Sequence, residues 1–213
     1  VVAFWWNNTN TGVDVDVPID NDPTLEDGTI QIQVQVDAGS FQDLGSAYTI
    51  LNADINTMKT LSFTDAELQG LTGFADGVTL TFRAIITDSA TNPTTGGNSA
   101  DALDIDETDP SVDAGTDKEV NALVAQDAAT SDGGSGLNTY TWAKQLGVGT
   151  VVFSNPNGTD PVVNPDTNVS VSDVSPAGDD TYTLGLTVTD HAGNSNSDTM
   201  TFVWDTVAPI LAP

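Results

Sequence analysis

Apolar and polar residues alternate along four stretches of the chain. Ile30, Ile32, Val34 and Val36 take turns with Gln31, Gln33 and Gln35, and Val78, Leu80, Phe82, Ala84 and Ile86 with Thr79, Thr81, Arg83 and Thr87. Tyr182, Leu184, Leu186 and Val188 alternate with Thr183, Gly185, Thr187 and Thr189, and Met200, Phe202 and Trp204 continue the pattern later on. A period of two sends successive side chains to opposite faces, so each stretch predicts a half-buried strand. Clusters of Gly, Pro, Asn and Asp between the stretches predict turns. One helical signal stands out: Thr64-Asp65-Ala66-Glu67 has capping-box spacing and predicts a single turn of helix. Short strands, short turns and less than about a tenth helix predict an all-β protein built from sandwiches.

The chain repeats itself. Leu80-Thr-Phe-Arg-Ala-Ile-Ile-Thr-Asp88 aligns without a gap on Tyr182-Thr-Leu-Gly-Leu-Thr-Val-Thr-Asp190. The loop Ser89-Ala90-Thr91-Asn92 then matches His191-Ala192-Gly193-Asn194, and the linker Asp106-Glu-Thr-Asp-Pro110 matches Asp205-Thr-Val-Ala-Pro209. The period of 99 to 102 residues suits one sandwich per repeat. It predicts two tandem β-sandwich domains, residues 1–107 and 108–213. The second linker is followed by four residues, which points to a further domain in a longer chain.

Charge narrows the partners. The chain carries 31 acidic residues against four basic ones, a net charge of -27. Nucleic acid and anionic membranes are repelled, since binding a polyanion takes Lys and Arg to displace its counterions. The acid is Asp except at Glu26, Glu67, Glu107 and Glu119. A short carboxylate bonds its own turn and reaches a hard cation from it, so the bias suggests turns and calcium loops; a salt-adapted surface is the plainer alternative. The chain has no cysteine, hence no disulfide framework and no thiolate metal site. No apolar stretch approaches the roughly 20 residues that span a bilayer. No basic region followed by an apolar run opens the chain, so a secretion signal is expected outside this stretch or already removed. The scarcity of Lys and the wealth of Thr, Asn, Asp and Gly fit an extracellular protein. Asn7, Asn157 and Asn168 open Asn-x-Ser/Thr triplets and are candidate glycosylation sites.

The run Thr189-Asp190-His191-Ala192-Gly193-Asn194, followed by a strand and Asp205-Thr206-Val207-Ala208-Pro209, resembles the end of bacterial and archaeal immunoglobulin-like (Ig-like) repeats. Their usual wording is T-D-x-A-G-N and then D-T-T-A-P. The second half also resembles PKD-like domains in Val112-Asp113-Ala114-Gly115-Thr116-Asp117, Ser131-Asp132-Gly133-Gly134, Tyr140-Thr141-Trp142 and Thr181-Tyr182-Thr183-Leu184. The first half matches from Asp76 to Pro110, with Thr91 where the loop glycine stands. The resemblance implies two Ig-like sandwiches that serve as spacers, stalks or adhesive modules of surface layers, adhesins and secreted multidomain enzymes. It also implies a core role for Trp142 and a tyrosine-corner place for Tyr182.

Among candidate sites, calcium carries most weight. Asp88 ends one strand of the first domain and Asp106 the next, which is expected to bring both to the same pole. Asp104 and Asp109 flank Asp106, and Asp113 opens the second domain. Asp190 and Asp205 are the equivalent pair of the second domain. These seven carboxylates are the candidate Ca²⁺ ligands, and a cation among them is expected to stiffen the junction; the alternative is solvated acids capping turns. Asp14, Asp16, Asp20 and Asp22 read as a solvated strand face and turn. Catalysis is not expected. Carboxylate pairs in the turns of narrow sandwiches lack the facing geometry of a glycosidase, and His191, the sole histidine, has no marked nucleophile beside it. Trp204 reads as core rather than as a sugar platform. The apolar run Val1, Val2, Ala3, Phe4, Trp5, Trp6 is either the first strand of its own sandwich or a strand donated to another copy.

These readings converge on a non-catalytic structural or adhesive segment of an extracellular cell-surface assembly, such as a surface layer, adhesin stalk or filament. Its expected partners are copies of itself, neighbouring domains of a larger chain or surface glycans. The other class left open is a spacer or carbohydrate-binding module of a secreted polysaccharide-degrading enzyme.

Overall fold

The computed structural model describes residues 5–159, 167–173 and 180–210. Strand covers 51% of the chain and helix 6%, so the fold is all-β. The chain divides into two compact units, Val1–Glu107 and Thr108–Pro213.

The first unit runs β1 (Trp5–Trp6), β2 (Gly12–Pro18), β3 (Thr29–Val36), β4 (Gln42–Thr49), β5 (Met58–Thr64), α1 (Asp65–Gln69), β6 (Thr79–Thr87), β7 (Pro93–Thr95) and β8 (Leu103–Ile105). One sheet has the order β1-β8-β6-β3-β4, with β7 also on β6; β2 and β5 form a second, two-stranded sheet. The alternation of β3 and β6 sets the core. Ile30, Val34 and Leu80 are wholly buried and Ile32 nearly so, while the intervening Gln and Thr residues stay half-exposed. Trp6, Val17, Ile50, Phe63 and Ile105 close the same cluster from both sheets. The short helix forms where the capping box predicts it: Thr64 Oγ1 accepts from the Glu67 N–H (3.3 Å) and Glu67 Oε2 accepts from the Thr64 N–H (2.8 Å). Leu68 anchors that helix in the core.

A polar cluster pins the 51–59 loop. The Asp54 carboxylate accepts from the Leu51 N–H (2.9 Å), the Tyr48 hydroxyl (2.9 Å) and Lys59 Nζ (3.2 Å). These donors, the Leu51 N–H foremost, hold the Asp54 carboxyl below its ordinary value of 3.8, with burial opposing them. A carboxyl depressed on folding stabilises above its unfolded pKa and loses that contribution as pH falls through the folded one. Asp54→Asn is therefore expected to cost the first unit about 1–2 kcal/mol at neutral pH. Urea unfolding at a series of pH values should show the gap to wild type shrinking below about pH 4.

The second unit contains β9 (Ser111–Asp113), β10 (Lys118–Val120), β11 (Val124–Ala125), β12 (Ala129–Ser131), β13 (Leu137–Leu146), β14 (Thr150–Phe153), β15 (Asn157–Thr159), β16 (Asn168–Asp173), β17 (Asp180–Asp190) and β18 (Ser195–Trp204). A five-stranded sheet of order β10-β18-β17-β13-β15 packs with the sheets β11-β16-β14 and β12-β9 around one core. Tyr182, Leu184, Leu186, Val188 and Phe202 are wholly buried, as the alternation of β17 and β18 predicts. Trp142 (3% exposed) stacks on Phe153 at 6.0 Å between centroids, and Trp204 on Phe202 at 6.2 Å, so both serve the core. Tyr182 corrects an expectation: its hydroxyl is buried with no hydrogen-bond partner among the described residues, so it makes no tyrosine-corner bond there. Burial, then the neighbouring Asp180, pushes its phenol upward.

Candidate functional site

The two repeats build the same turn after their long strands. In the first unit, Asp88 Oδ1 accepts from the Asn92 N–H and Asp88 Oδ2 from Asn92 Nδ2, both at 2.8 Å. In the second, Asp190 Oδ1 accepts from the Gly193 (2.7 Å) and Asn194 (2.8 Å) N–H groups, and Oδ2 from Asn194 Nδ2 (2.9 Å). A short acid followed four residues later by Asn thus closes the loop by its own side chain. The Asn92 amide, side chain before backbone, holds the Asp88 carboxyl below its ordinary range.

The third loop position must adopt left-handed backbone. Gly193 does so at φ 92°, but the first unit places Thr91 there at φ 69°. A β-branched residue in that region is strained by on the order of 1–3 kcal/mol. Thr91→Gly removes the strain and adds about 0.4–1 kcal/mol of unfolded-chain entropy. The net expectation is a gain of about 1 kcal/mol, read as a higher urea midpoint for the first unit.

The two turns differ in depth. Asp88 is half-buried, whereas Asp190 is wholly buried. A second loop, 131–136, packs beside Asp190: Ser135 Oγ accepts from the Ala192 N–H (2.9 Å), and the Gly136 carbonyl accepts from the His191 N–H (3.0 Å). Within it, Asp132 Oδ2 accepts from the N–H groups of Gly134 (3.2 Å) and Gly136 (2.6 Å). Asp132 Oδ1 is buried with no hydrogen-bond partner among the described residues, and a carboxylate oxygen of Asp132 lies within 4.8 Å of one of Asp190. Two carboxylates at that separation repel by about 3 kcal/mol at an effective dielectric of about 20. The pair therefore presents a buried, uncompensated acceptor beside a second negative charge, which is the donor chemistry a hard cation takes.

Asp132 is the residue that reading the sequence for ligands missed. Its signal is the Asp in Ser131-Asp132-Gly133-Gly134-Ser135-Gly136, whose small residues let backbone N–H groups turn toward a carboxylate. The expected sharing of one pole by Asp88 and Asp106 is corrected by the strand register. β6 runs antiparallel to β8 with Thr79 opposite Asp104, so Asp106 sits beside the start of β6 and Asp88 follows its end. Nine residues of strand, roughly 30 Å, lie between them. In the second unit Asp180 is opposite Trp204, so Asp205 and Asp190 are likewise at opposite ends of β17.

The remaining candidates are placed as follows. Asp106 is buried, with its N–H donated to the Trp6 carbonyl (2.8 Å). Asp104 accepts from Thr79 Oγ1, Asp113 from the Gly115 N–H (2.8 Å) and Asp205 from the Val207 N–H (2.9 Å), while Asp109 is exposed. Trp5 and Trp6 form β1, parallel to β8 in their own unit, and Trp6 is in its core; Val1, Val2 and Phe4 lie outside the described residues. Of the glycosylation candidates, Asn157 is exposed and Asn168 stands on β16. Asn7 is a correction: it is only 5% exposed, so the fold covers the side-chain amide that a glycan would need, and its Oδ1 accepts from the Thr9 N–H and hydroxyl. His191 is half-buried in the Asp190 turn.

Residues 144–206, within the second unit, match the family model of a bacterial Ig-like domain. No curated protein matches the chain.

Proposed function

We propose that this chain is a non-catalytic structural or adhesive segment of an extracellular cell-surface assembly, a surface layer, adhesin stalk or filament, and that calcium stabilises it. The bacterial Ig-like match supports the surface-module class in general. The acidic excess and the repeat of about one sandwich per hundred residues are in keeping with it.

The calcium reading rests on one observation, the half-buried Asp132 beside the buried Asp190, with the buried Asp132 Oδ1 left without a hydrogen-bond donor among the described residues. A divalent cation would replace their repulsion by attraction and take oxygen ligands that the turns already orient. The linker carboxylates Asp106, Asp109 and Asp113 are further candidate ligands by sequence, and a cation held at the linker would stiffen the chain. A bound ion that prefers the folded state stabilises by mass action, by about 2.7 kcal/mol at a hundred times its dissociation constant. Calorimetry should therefore show the melting of the second unit rising with Ca²⁺ by on the order of 10 °C, with Asp132→Asn abolishing the response. Unchanged melting across the titration would leave these acids as turn caps. Small-angle scattering with and without chelator tests the stiffening, and turnover of any member of a glycan panel by the chain would contradict the non-catalytic reading.

A further inference from the structure

The five-stranded sheet of the second unit turns one face to the core and one outward. Its three long strands, β13, β17 and β18, send Tyr140, Trp142, Leu184, Leu186, Met200 and Phe202 into the core. The alternate residues therefore point outward. Across the three strands the register sets Thr141, Thr187 and Ser197 in one row and Ala143, Gly185 and Thr199 in the next. The rows to either side are again Thr and Ser, except for Leu146 opposite Thr183. The Gln145 amide lies above Gly185, in the space its missing side chain leaves.

This face carries no formal charge, although the chain has a net charge of -27. The acids of the three strands, Asp180, Asp190 and Asp198, and their one cation, Lys144, all stand at core-side positions of the alternation. They are opposite Trp204, Leu137, Leu186 and Leu184 in turn. Thr suits an exposed strand by itself, but exposed strand positions of this chain also take Asp, as Asp14 and Asp16 of β2 show. Aliphatic surface lies open at one corner of the face. Leu146 is 67% exposed, and Val148 in the turn beyond it is 73% exposed. That turn is held in place: Lys144 Nζ donates to the carbonyls of Gly147 (2.9 Å) and Gly149 (2.6 Å), and the Val148 N–H donates to Asp180 Oδ2 (2.6 Å). Aliphatic side chains displayed on a fixed turn are stabilised when a contact covers them.

Charge selects the partner. A neutral sugar polymer gives no reason to keep carboxylates away, since they accept hydrogen bonds from hydroxyls. Sugar sites also draw on exposed aromatic rings, and Tyr140, Trp142, Tyr182, Phe202 and Trp204 of these strands are all buried. A partner that is itself acidic does require a contact free of acids, and a second copy of this chain is such a partner. Strands about 4.8 Å apart and up to 11 residues long offer on the order of 500 Å² per partner, the low end for a specific contact. A weak contact of that size gains strength by repetition along an assembly of many copies.

We propose that the outward face of β13, β17 and β18 is a self-association surface, on which two copies pack sheet to sheet around Thr187 with Leu146 at the corner. The proposal rests on the assembly reading above and names the face it uses. Sedimentation equilibrium of the whole chain tests it, with chelator present so that no divalent ion bridges the copies. Dimers are expected at about 0.1–1 mM protein, in keeping with the small area. They should tighten at least roughly fivefold between about 0.1 and 1 M NaCl, because screening removes the repulsion of the acidic bodies and leaves the neutral contact. Contacts made by ion pairs would weaken instead. Thr187→Glu should weaken the dimer at least roughly tenfold, by setting like charges against each other. Thr141→Glu, beside it in the row, repeats the test at a second position. Ala125→Glu adds the same charge at an exposed position of β11, in another sheet, and should change nothing. Unaltered melting will show that the variants fold. Equal effects at Thr187 and Ala125 would overturn this face and leave the assembly reading standing with its contact elsewhere. A chain monomeric up to about 1 mM at every salt concentration would also overturn the proposal. So would retardation by dextran that Thr187→Glu relieves, which would give the face to a neutral glycan.

Discussion

Trp6→Ala is expected to unfold the first unit or bring it close to unfolding. The indole is 1% exposed at the centre of a core built from both sheets, and its strand holds the end of β8 through the bond from the Asp106 N–H to the Trp6 carbonyl. Emptying a buried Trp site costs about 3–5 kcal/mol, against a total of about 5–15 kcal/mol for a domain of this size. Urea unfolding followed by far-ultraviolet circular dichroism should show the transition of the first unit displaced by that amount, with the transition of the second unit unmoved as an internal control. A Trp6 whose main partner is another chain would give a different outcome: association lost and the first transition kept.

Asp190→Ala should do to the second unit what Trp6→Ala does to the first, by a different mechanism. The carboxylate accepts from the Gly193 N–H and from the Asn194 N–H and Nδ2 in a wholly buried turn, and its removal leaves these donors without that acceptor. Charge-assisted bonds of this kind contribute about 1.5–3 kcal/mol each, and relief of the repulsion from Asp132 offsets part of the loss. A net cost of about 3 kcal/mol is expected. The half-buried counterpart gives the comparison: Asp88→Ala removes the two Asn92 bonds in the first unit and should cost clearly less, because one donor fewer is freed and water can reach both. Equal losses at the two positions would mean that burial is not what makes Asp190 critical.

Much of this fold is legible in the residue pattern. The alternation in β3, β6, β17 and β18 places the buried residues on one face, and the Thr64 to Glu67 box forms the one α-helix among the described residues. The repeated acid, small loop and Asn yield the same turn twice. The short strands β7, β9, β10, β11 and β12 were not legible. Each is two or three residues long, too short for a period to show, and each exists because a neighbouring strand presents an unpaired edge.

The candidate site divides in the same way. That Asp88 and Asp190 close turns follows from a short carboxylate four residues ahead of an Asn, a local relation that any context preserves. Which carboxylates meet does not follow, because strand ends are brought together by pairing between residues far apart in the chain. The antiparallel register of β6 with β8, and of β17 with β18, separates Asp88 from Asp106 and Asp190 from Asp205 by the length of a strand. Packing of the 131–136 loop beside the Asp190 turn brings in Asp132, which no spacing in the sequence ties to it. Sequence thus determined the faces, the turns and the acidic character, which depend on neighbours along the chain. Tertiary structure alone decided which charges come together, because that depends on neighbours across it.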